Sequence, residues 1–219
     1  PLHGWHVAHG GRMVDFAGWS MPVQYTSIVE EHQATRKAAG LFDISHMGRL
    51  IIDGPDAQRF LDSLLTRRID DMTPGQVRYS LVCNESGGVL DDILVYQIQL
   101  PEGGLSGYGL VVNASNRTKI VSWLNQRRGD FDVGIDDKTA DYAMISIQGP
   151  RAIEVLDAVC DYELTSLRYY FGVMARIASF RSFVSRTGYT GEDGCEIICD
   201  AADAGIIWTR LIERAEPHE

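Results

Sequence analysis

The sequence predicts an α+β fold of mainly antiparallel sheets with packed helices, and three observations lead there. "QVRYSLVCNESGGVLDDILVYQIQ" sets two apolar runs on either side of Asn84-Glu85-Ser86-Gly87-Gly88, the pattern of a hairpin. "RLIIDGPDAQRFLDSLL" (49–65) and "MISIQGPRAIEVLDAVC" (144–160) share one plan: an apolar strand, Gly-Pro, then an amphipathic helix. A strand followed by a helix recurs in "GLVVNASNRTKIVSWLNQ" and in "CEIICDAADAGIIWTRLIE". A doubly wound sheet needs helices between nearly all its strands, and the hairpin argues against one.

The elements follow in chain order. In "HGWHVAHGGRMVDFAGWSMPVQY", His3, His6 and His9 have the spacing of a helix that ends at Gly10-Gly11. No acid or cysteine cluster accompanies them, so they read as one exposed helix side and not as a metal site. "DISHMGR" (43–49) holds His46 before a strand, without the partners of a hydrolytic triad. Pro55 and Pro150 suit the first turn of a helix, where a missing N–H costs nothing. Behind them, Phe60, Leu61, Leu64 and Leu65 form one apolar stripe, and Ile153, Leu156 and Val159 another. Asn113 or Ser115 suits the N-cap of the next helix. "QLPEGGLSGYG" (99–109) reads as a loop between two strands.

The 219 residues suffice for one large domain or two modest ones. A net charge of −10 argues against a duplex nucleic-acid binder, which needs a basic stripe, and against an anionic membrane surface. No apolar run approaches a spanning helix and no signal-peptide pattern opens the chain, so a cytoplasmic or organelle-matrix location is expected. Cys83, Cys160, Cys195 and Cys199 contain no CxxC pair, which fits a reducing compartment. Cys195 and Cys199 share one face of a strand and read as packing.

Two stretches could carry chemistry. In "SGGVLDDILVYQ" (86–97), alternation puts Asp91, Ile93 and Val95 on one face and Asp92, Leu94 and Tyr96 on the other. One aspartate must therefore border a different environment from its neighbour. "SRTGYTGEDGCEI" (185–197) has three glycines in seven residues, so it reads as a long shaped loop with Tyr189 packed within it. Glu196 starts a strand, facing opposite to Cys195 and Ile197. A carboxylate there could accept paired N–H donors from a flat heterocycle, with Tyr189 offering an aromatic face.

Together these stretches resemble the aminomethyltransferase, or T-protein, of the glycine cleavage system. The matching residues are "HGGRMVDFAGWSMPVQY", "EEHQATRKAAGLFDISHMG", "YSLVCNESGGVLDDILVY", "VVNASNR", "ISIQGPRA" and "SRTGYTGEDGCEI", in family order and over nearly the whole chain. The resemblance implies a folate-binding fold of three domains, the first discontinuous. On that pattern residues 1–48 and about 138–219 form the first domain and 49–137 the inserted second. It implies transfer of the aminomethyl group from the dihydrolipoyl arm of the lipoylated H-protein to tetrahydrofolate, giving 5,10-methylenetetrahydrofolate and ammonia. Asp92 matches the family's key aspartate beside the folate N5/N10 region, and Asp91 is then its structural support. Tyr189 and Glu196 look like pterin contacts, and Tyr79, Leu94, Tyr96, Asn113 and Tyr169 like further pocket lining. No metal is implied, and the location would be bacterial cytoplasm or mitochondrial matrix.

The family's arginine-bearing folate stretch and its C-terminal β-barrel domain are missing after Glu219, which implies a weakly active or inactive chain. Two relatives of the same scaffold compete with this reading. One is a folate-dependent demethylase, or the folate half of a sarcosine- or dimethylglycine-oxidising enzyme; no flavin-binding glycine motif supports it here. The other is a folate-binding scaffold of iron–sulfur assembly, whose motif has a cysteine where this chain runs Arg186-Thr187-Gly188-Tyr189.

Overall fold

The computed structural model describes residues 1–99 and 106–215. Along the chain run α1 (His3–Ala8), β1 (Met13–Phe16), β2 (Trp19–Pro22), α2 (Ile28–Lys37), β3 (Gly40–Asp43), β4 (Gly48–Asp53), α3 (Ala57–Leu64), β5 (Val77–Cys83), β6 (Val89–Gln99) and β7 (Ser106–Val112). There follow α4 (Arg117–Arg127), β8 (Gly134–Asp137), β9 (Tyr142–Gln148), α5 (Ala152–Asp157), β10 (Gly172–Ile177), β11 (Phe180–Ser185), β12 (Gly194–Asp200) and α6 (Ala204–Ala215). These elements fall into two compact units, Pro1–Ser45 with Asp141–Glu219, and His46–Ala140. The pairings between strands are antiparallel, as the hairpin pattern led us to expect.

The His46–Ala140 unit is one five-stranded sheet in the order β5-β6-β7-β4-β8, with α3 and α4 on one face. Leu50, Ile52, Val82, Ile93, Val95, Leu110 and Val112 project from the sheet onto Phe60, Leu61, Ile120 and Leu124 of the helices. Each such side chain, fully buried, contributes about 1.5–3 kcal/mol of transfer free energy. The β5–β6 turn is set by Asn84. Its Oδ1 accepts from Ser86 N at 3.0 Å and Gly88 N at 2.8 Å, while Gly87 takes the positive φ of 81° that the turn needs. Immediately after it the register shifts: Cys83 opposes Val89 but Val82 opposes Asp91, leaving Leu90 as a bulge. A bulge re-aims the side chains that follow it, and here it decides which face each aspartate takes.

The unit of Pro1–Ser45 with Asp141–Glu219 carries a second five-stranded sheet, β10-β11-β12-β9-β3, packed by α5 and α6, and a separate β1–β2 hairpin. Cys195 and Cys199 belong to its core, and burial pushes the Cys195 thiol up to about 12, which disfavours the thiolate there. The α2 helix starts at Ser27, whose Oγ accepts from Glu30 N at 3.2 Å. Glu31 meanwhile binds Tyr25 N and Thr26 N, which fixes the approach to that helix.

Several expectations change. The Gly-Pro prolines lie just ahead of the N-cap residues Asp56 and Arg151, not in the first helical turn. In α5 the buried stripe is Ala152, Val155 and Leu156, with Ile153 and Val159 at its margin. Residues 106–109 of the expected loop belong to β7, whose partner Leu94–Gln99 extends the ladder that far; residues 100–105 lie outside the described ones. The three histidines do not share an exposed face. His6 is buried, with Nδ1 2.5 Å from Tyr25 Oη and Nε2 3.0 Å from Asp43 Oδ2.

Candidate active site

The bulge at Leu90 turns Asp91 toward the helix-packed face of its sheet and Asp92 toward the other. Asp91 is only 2% exposed. A buried carboxylate without a cation must be satisfied by N–H donors, and three converge on it. Asn113 N donates to Oδ2 at 3.0 Å; Asn113 Nδ2 (2.9 Å) and Asn116 Nδ2 (2.5 Å) donate to Oδ1. This explains a misread residue. The Asn113 side chain does not cap a helix, although a short 3₁₀ turn, Ala114–Asn116, starts after it. Its amide instead bridges the two aspartates.

That bridge fixes Asp92. The Asn113 amide nitrogen also lies 2.9 Å from Asp92 Oδ1 and 3.1 Å from the Asp92 carbonyl oxygen. Because Asp91 and Asp92 can only accept, the amide must present nitrogen to both, and its orientation is settled by them. Asp92 Oδ2 receives a longer contact, 3.4 Å, from the Tyr79 hydroxyl. Asp92 is half-buried, as is Leu94, while Tyr96 is buried and Tyr79 exposed. The cross-strand pairs Tyr79↔Leu94, Leu94↔Val111 and Val77↔Tyr96 set these side chains on one sheet face. The unit thus offers a half-shielded carboxylate oxygen beside a phenol and an apolar strip.

The other unit holds Tyr169, Tyr189 and Glu196 at one end of its own sheet. Glu196, 8% exposed, projects from the face opposite Cys195 and Ile197 and accepts a short hydrogen bond from the Thr187 hydroxyl. Thr187 Oγ1 lies 2.8 Å from Ser185 Oγ. The loop between β11 and β12 rests on buried Gln148, whose Nε2 donates to Thr187 O at 3.0 Å and whose Oε1 accepts from Thr190 Oγ1 at 3.2 Å. Gly188 is required by this close approach, since a Cβ there would stand 2.1 Å from Gln148 Oε1. Tyr189 is not packed within the loop: it is 96% exposed, on a segment held from beneath. Tyr169 is 64% exposed, edge-on to Tyr170 with ring centroids 4.8 Å apart.

The residues that sequence reasoning missed, Asn116, Thr187 and Gln148, all act through hydrogen bonds across the sheets or loops. "NASN" follows directly on the apolar run Leu110-Val111-Val112, which was its one local signal; "RTG" lies in an already polar loop and carried none. Among the described residues no group of three or more His, Cys, Asp or Glu side chains could hold a metal ion. None of the described helices is long and apolar enough to cross a membrane.

Comparisons with known proteins add to this geometry. The aminomethyltransferase of Moorella thermoacetica is 46% identical over 212 residues, 97% of this chain and 57% of that protein. The aminomethyltransferase of Bacillus pumilus is 45% identical over 218 residues, 99% of this chain and 58% of that protein. The chain thus spans a little over half the length of these curated relatives. Among solved structures, glycine cleavage system aminomethyltransferase T from Bartonella henselae superposes with a TM-score of 0.88 at 33% identity, covering 98% of this chain and 57% of that one. A heterotetrameric sarcosine oxidase from Corynebacterium sp. U-96 superposes with a TM-score of 0.60 at 14% identity, over 85% of this chain and 90% of that one, a likeness of fold alone. The model of the GCVT N-terminal domain matches residues 2–219, and with it the chain belongs to the GCVT N-terminal domain family.

Proposed function

We propose that this chain supplies the folate-side chemistry of a tetrahydrofolate-dependent aminomethyltransferase of glycine cleavage. The donor is the aminomethyl group carried as a thioether on the dihydrolipoyl arm of the H-protein. In the transfer, the carbon's bonds to sulfur and to the amino nitrogen break, and bonds to folate N5 and N10 form. The two folate N–H protons leave with ammonia and the freed thiol, and the product is 5,10-methylenetetrahydrofolate.

The observation that carries this reading is Asp92. One oxygen is held by Asn113 and the other is reached only loosely by Tyr79. Such a carboxylate accepts a hydrogen bond from a folate nitrogen and stabilises the iminium-like cation that develops as ammonia leaves. Preorganisation matters here, because an oxygen aimed in advance costs no reorganisation when charge appears. Leu94 supplies apolar surface beside it and Tyr79 an aromatic edge, while Tyr96, 2% exposed, supports that face from within and does not line it. Within the other unit, taken by itself, Glu196 is suited to accept from the donor edge of an amino-pyrimidinone, and the exposed Tyr189 and Tyr169 offer ring faces to a flat heterocycle. The family membership and the aminomethyltransferase activity for which the relatives are named support the same reaction class.

The test joins these 219 residues to the remaining length of a curated relative, supplies aminomethylated H-protein and tetrahydrofolate, and follows methylenetetrahydrofolate. Turnover that needs both substrates is expected. Folate-dependent consumption of sarcosine or dimethylglycine, with none of aminomethylated H-protein, would assign the other donor class.

A further inference from the structure

We propose that Arg186 is a positioning residue that locks the two tyrosine-bearing loops of the Pro1–Ser45 and Asp141–Glu219 unit into one ligand-ready arrangement; this rests on the folate reading given above. Arg186 directly follows β11 and its guanidinium faces two segments at once. Nε and Nη2 form a two-pronged pair with Asp193, at 3.1 and 2.6 Å, which closes the 186–193 loop from end to end. Nη1 reaches the carbonyl of Leu167 at 2.9 Å, two residues before Tyr169. The backbone adds a second link. Tyr170 N donates to Arg186 O at 2.9 Å, and Arg186 N donates to Phe171 O at 2.8 Å.

The segment so tied is not relaxed. Tyr170 has a φ of 59°, a left-handed conformation that a bulky side chain adopts only when its surroundings impose it. The Arg186 bonds, made to Leu167 O, Tyr170 N and Phe171 O, are among the restraints on that conformation. Tyr189 is likewise exposed on a loop that Arg186 closes at its base and that Arg36 grips at Thr190 O and Glu192. An exposed aromatic contributes to binding most when its loop is ordered before the ligand arrives. Asp193 is half solvent-exposed, so the pair adds little to global stability; its contribution lies in geometry, which only a planar two-pronged cation supplies.

The test is hydrogen exchange on the ligand-free protein together with titration of 5-formyltetrahydrofolate. Arg186→Gln should speed exchange in both 167–171 and 187–193 and raise the Kd for the folate about tenfold, the scale expected for loss of a charged two-pronged contact. Arg186→Lys, which retains charge but not the fork, should fall between the two. The exchanged pair Arg186→Asp with Asp193→Arg separates the two jobs. It should restore slow exchange in 187–193 and leave 167–171 fast, because an aspartate cannot donate to the Leu167 carbonyl. Unchanged exchange at 167–171 in Arg186→Gln, or a wild-type Kd in Arg186→Gln, would overturn the proposal. Failure of the wild-type protein to bind folate counts against the functional reading instead, and the exchange data still decide the coupling of the loops.

Discussion

The sheet order β5-β6-β7-β4-β8 of one unit is matched strand for strand by β10-β11-β12-β9-β3 of the other. Aligning Gly54-Pro55 with Gly149-Pro150 brings the cross-strand row Ile51, Gly109, Tyr96 onto Ser146, Glu196, Ser185. By the same register Asp91 and Asp92 fall on Phe180 and Arg181. Each unit therefore lacks, at the matching site, the carboxylates that the other has. The polar groups also occupy opposite ends of the shared sheet: the β6 start and β7 end in one, the β11–β12 loop in the other. What the two share is the choice of face, since Asp92 and Glu196 both project away from the packed helices. One scaffold thus accepts chemistry at either end of its open face, provided local hydrogen bonds hold the carboxylate.

Asp92 is where a substitution should have the largest effect. Asp92→Ala should lower turnover in the extended chain by about 10²–10³-fold, the scale of removing one preorganised electrostatic partner, with little change in the urea midpoint. At Asp91 the expectation reverses. Asp91→Ala orphans buried donors from Asn113 and Asn116 and should cost about 3 kcal/mol in urea unfolding. In the other unit, Gly188→Ala forces a methyl onto the buried Gln148 amide and should cost about 1–3 kcal/mol by the same measurement. Tyr189→Ala, at a nearly fully exposed position, should change stability by less than about 0.5 kcal/mol yet weaken folate binding measured by titration.

The pH dependence of that second unit is a finer probe. The Asp43 carboxyl is held below its usual range by hydrogen bonds from His6 and Ser45, which outweigh the burial that acts to raise it. The unfolded state therefore takes up the proton first as pH falls. This contribution is present above the unfolded pKa and lost as pH drops through the folded one. Asp43→Asn should accordingly flatten the acid side of a stability–pH curve, read from urea midpoints between about pH 5 and pH 3. At the alkaline end the sign differs. Burial, with Asp43 and Glu31 nearby, raises the Tyr25 phenol to about 12, so its stabilisation is complete below the unfolded value and lost as pH rises through the folded one.

The parts of this molecule legible in the sequence are those whose cause is local. Asn84 to Gly88 spell a turn by their own dihedral preferences, and the period of Asp91 to Tyr96 fixes which residues share a face. Gly54-Pro55 and Gly149-Pro150 marked the repeated strand–helix unit for the same reason. What escaped depends on partners distant in the chain. The Asn113 amide finds Asp91 and Asp92 across a sheet, at separations of 22 and 21 residues, and no local pattern distinguishes that from a helix cap. His6 looked like one of three equivalent histidines until Tyr25 and Asp43 closed around it. The exposure of Tyr189 depends on Gln148 and Arg36 holding its loop from outside, and the Arg186 link to Leu167 spans two loops.

Asp91 and Asp92 are neighbours in sequence, and the claim that they do different work is the centre of this account. Its most direct test measures Asp91→Asn and Asp92→Asn side by side, following methylenetetrahydrofolate formation and the urea midpoint on the same preparations. Asp92→Asn is expected to lose turnover at an unchanged midpoint, while Asp91→Asn lowers the midpoint and retains more turnover than Asp92→Asn. An Asp91→Asn protein with a wild-type midpoint and the greater loss of turnover would contradict it.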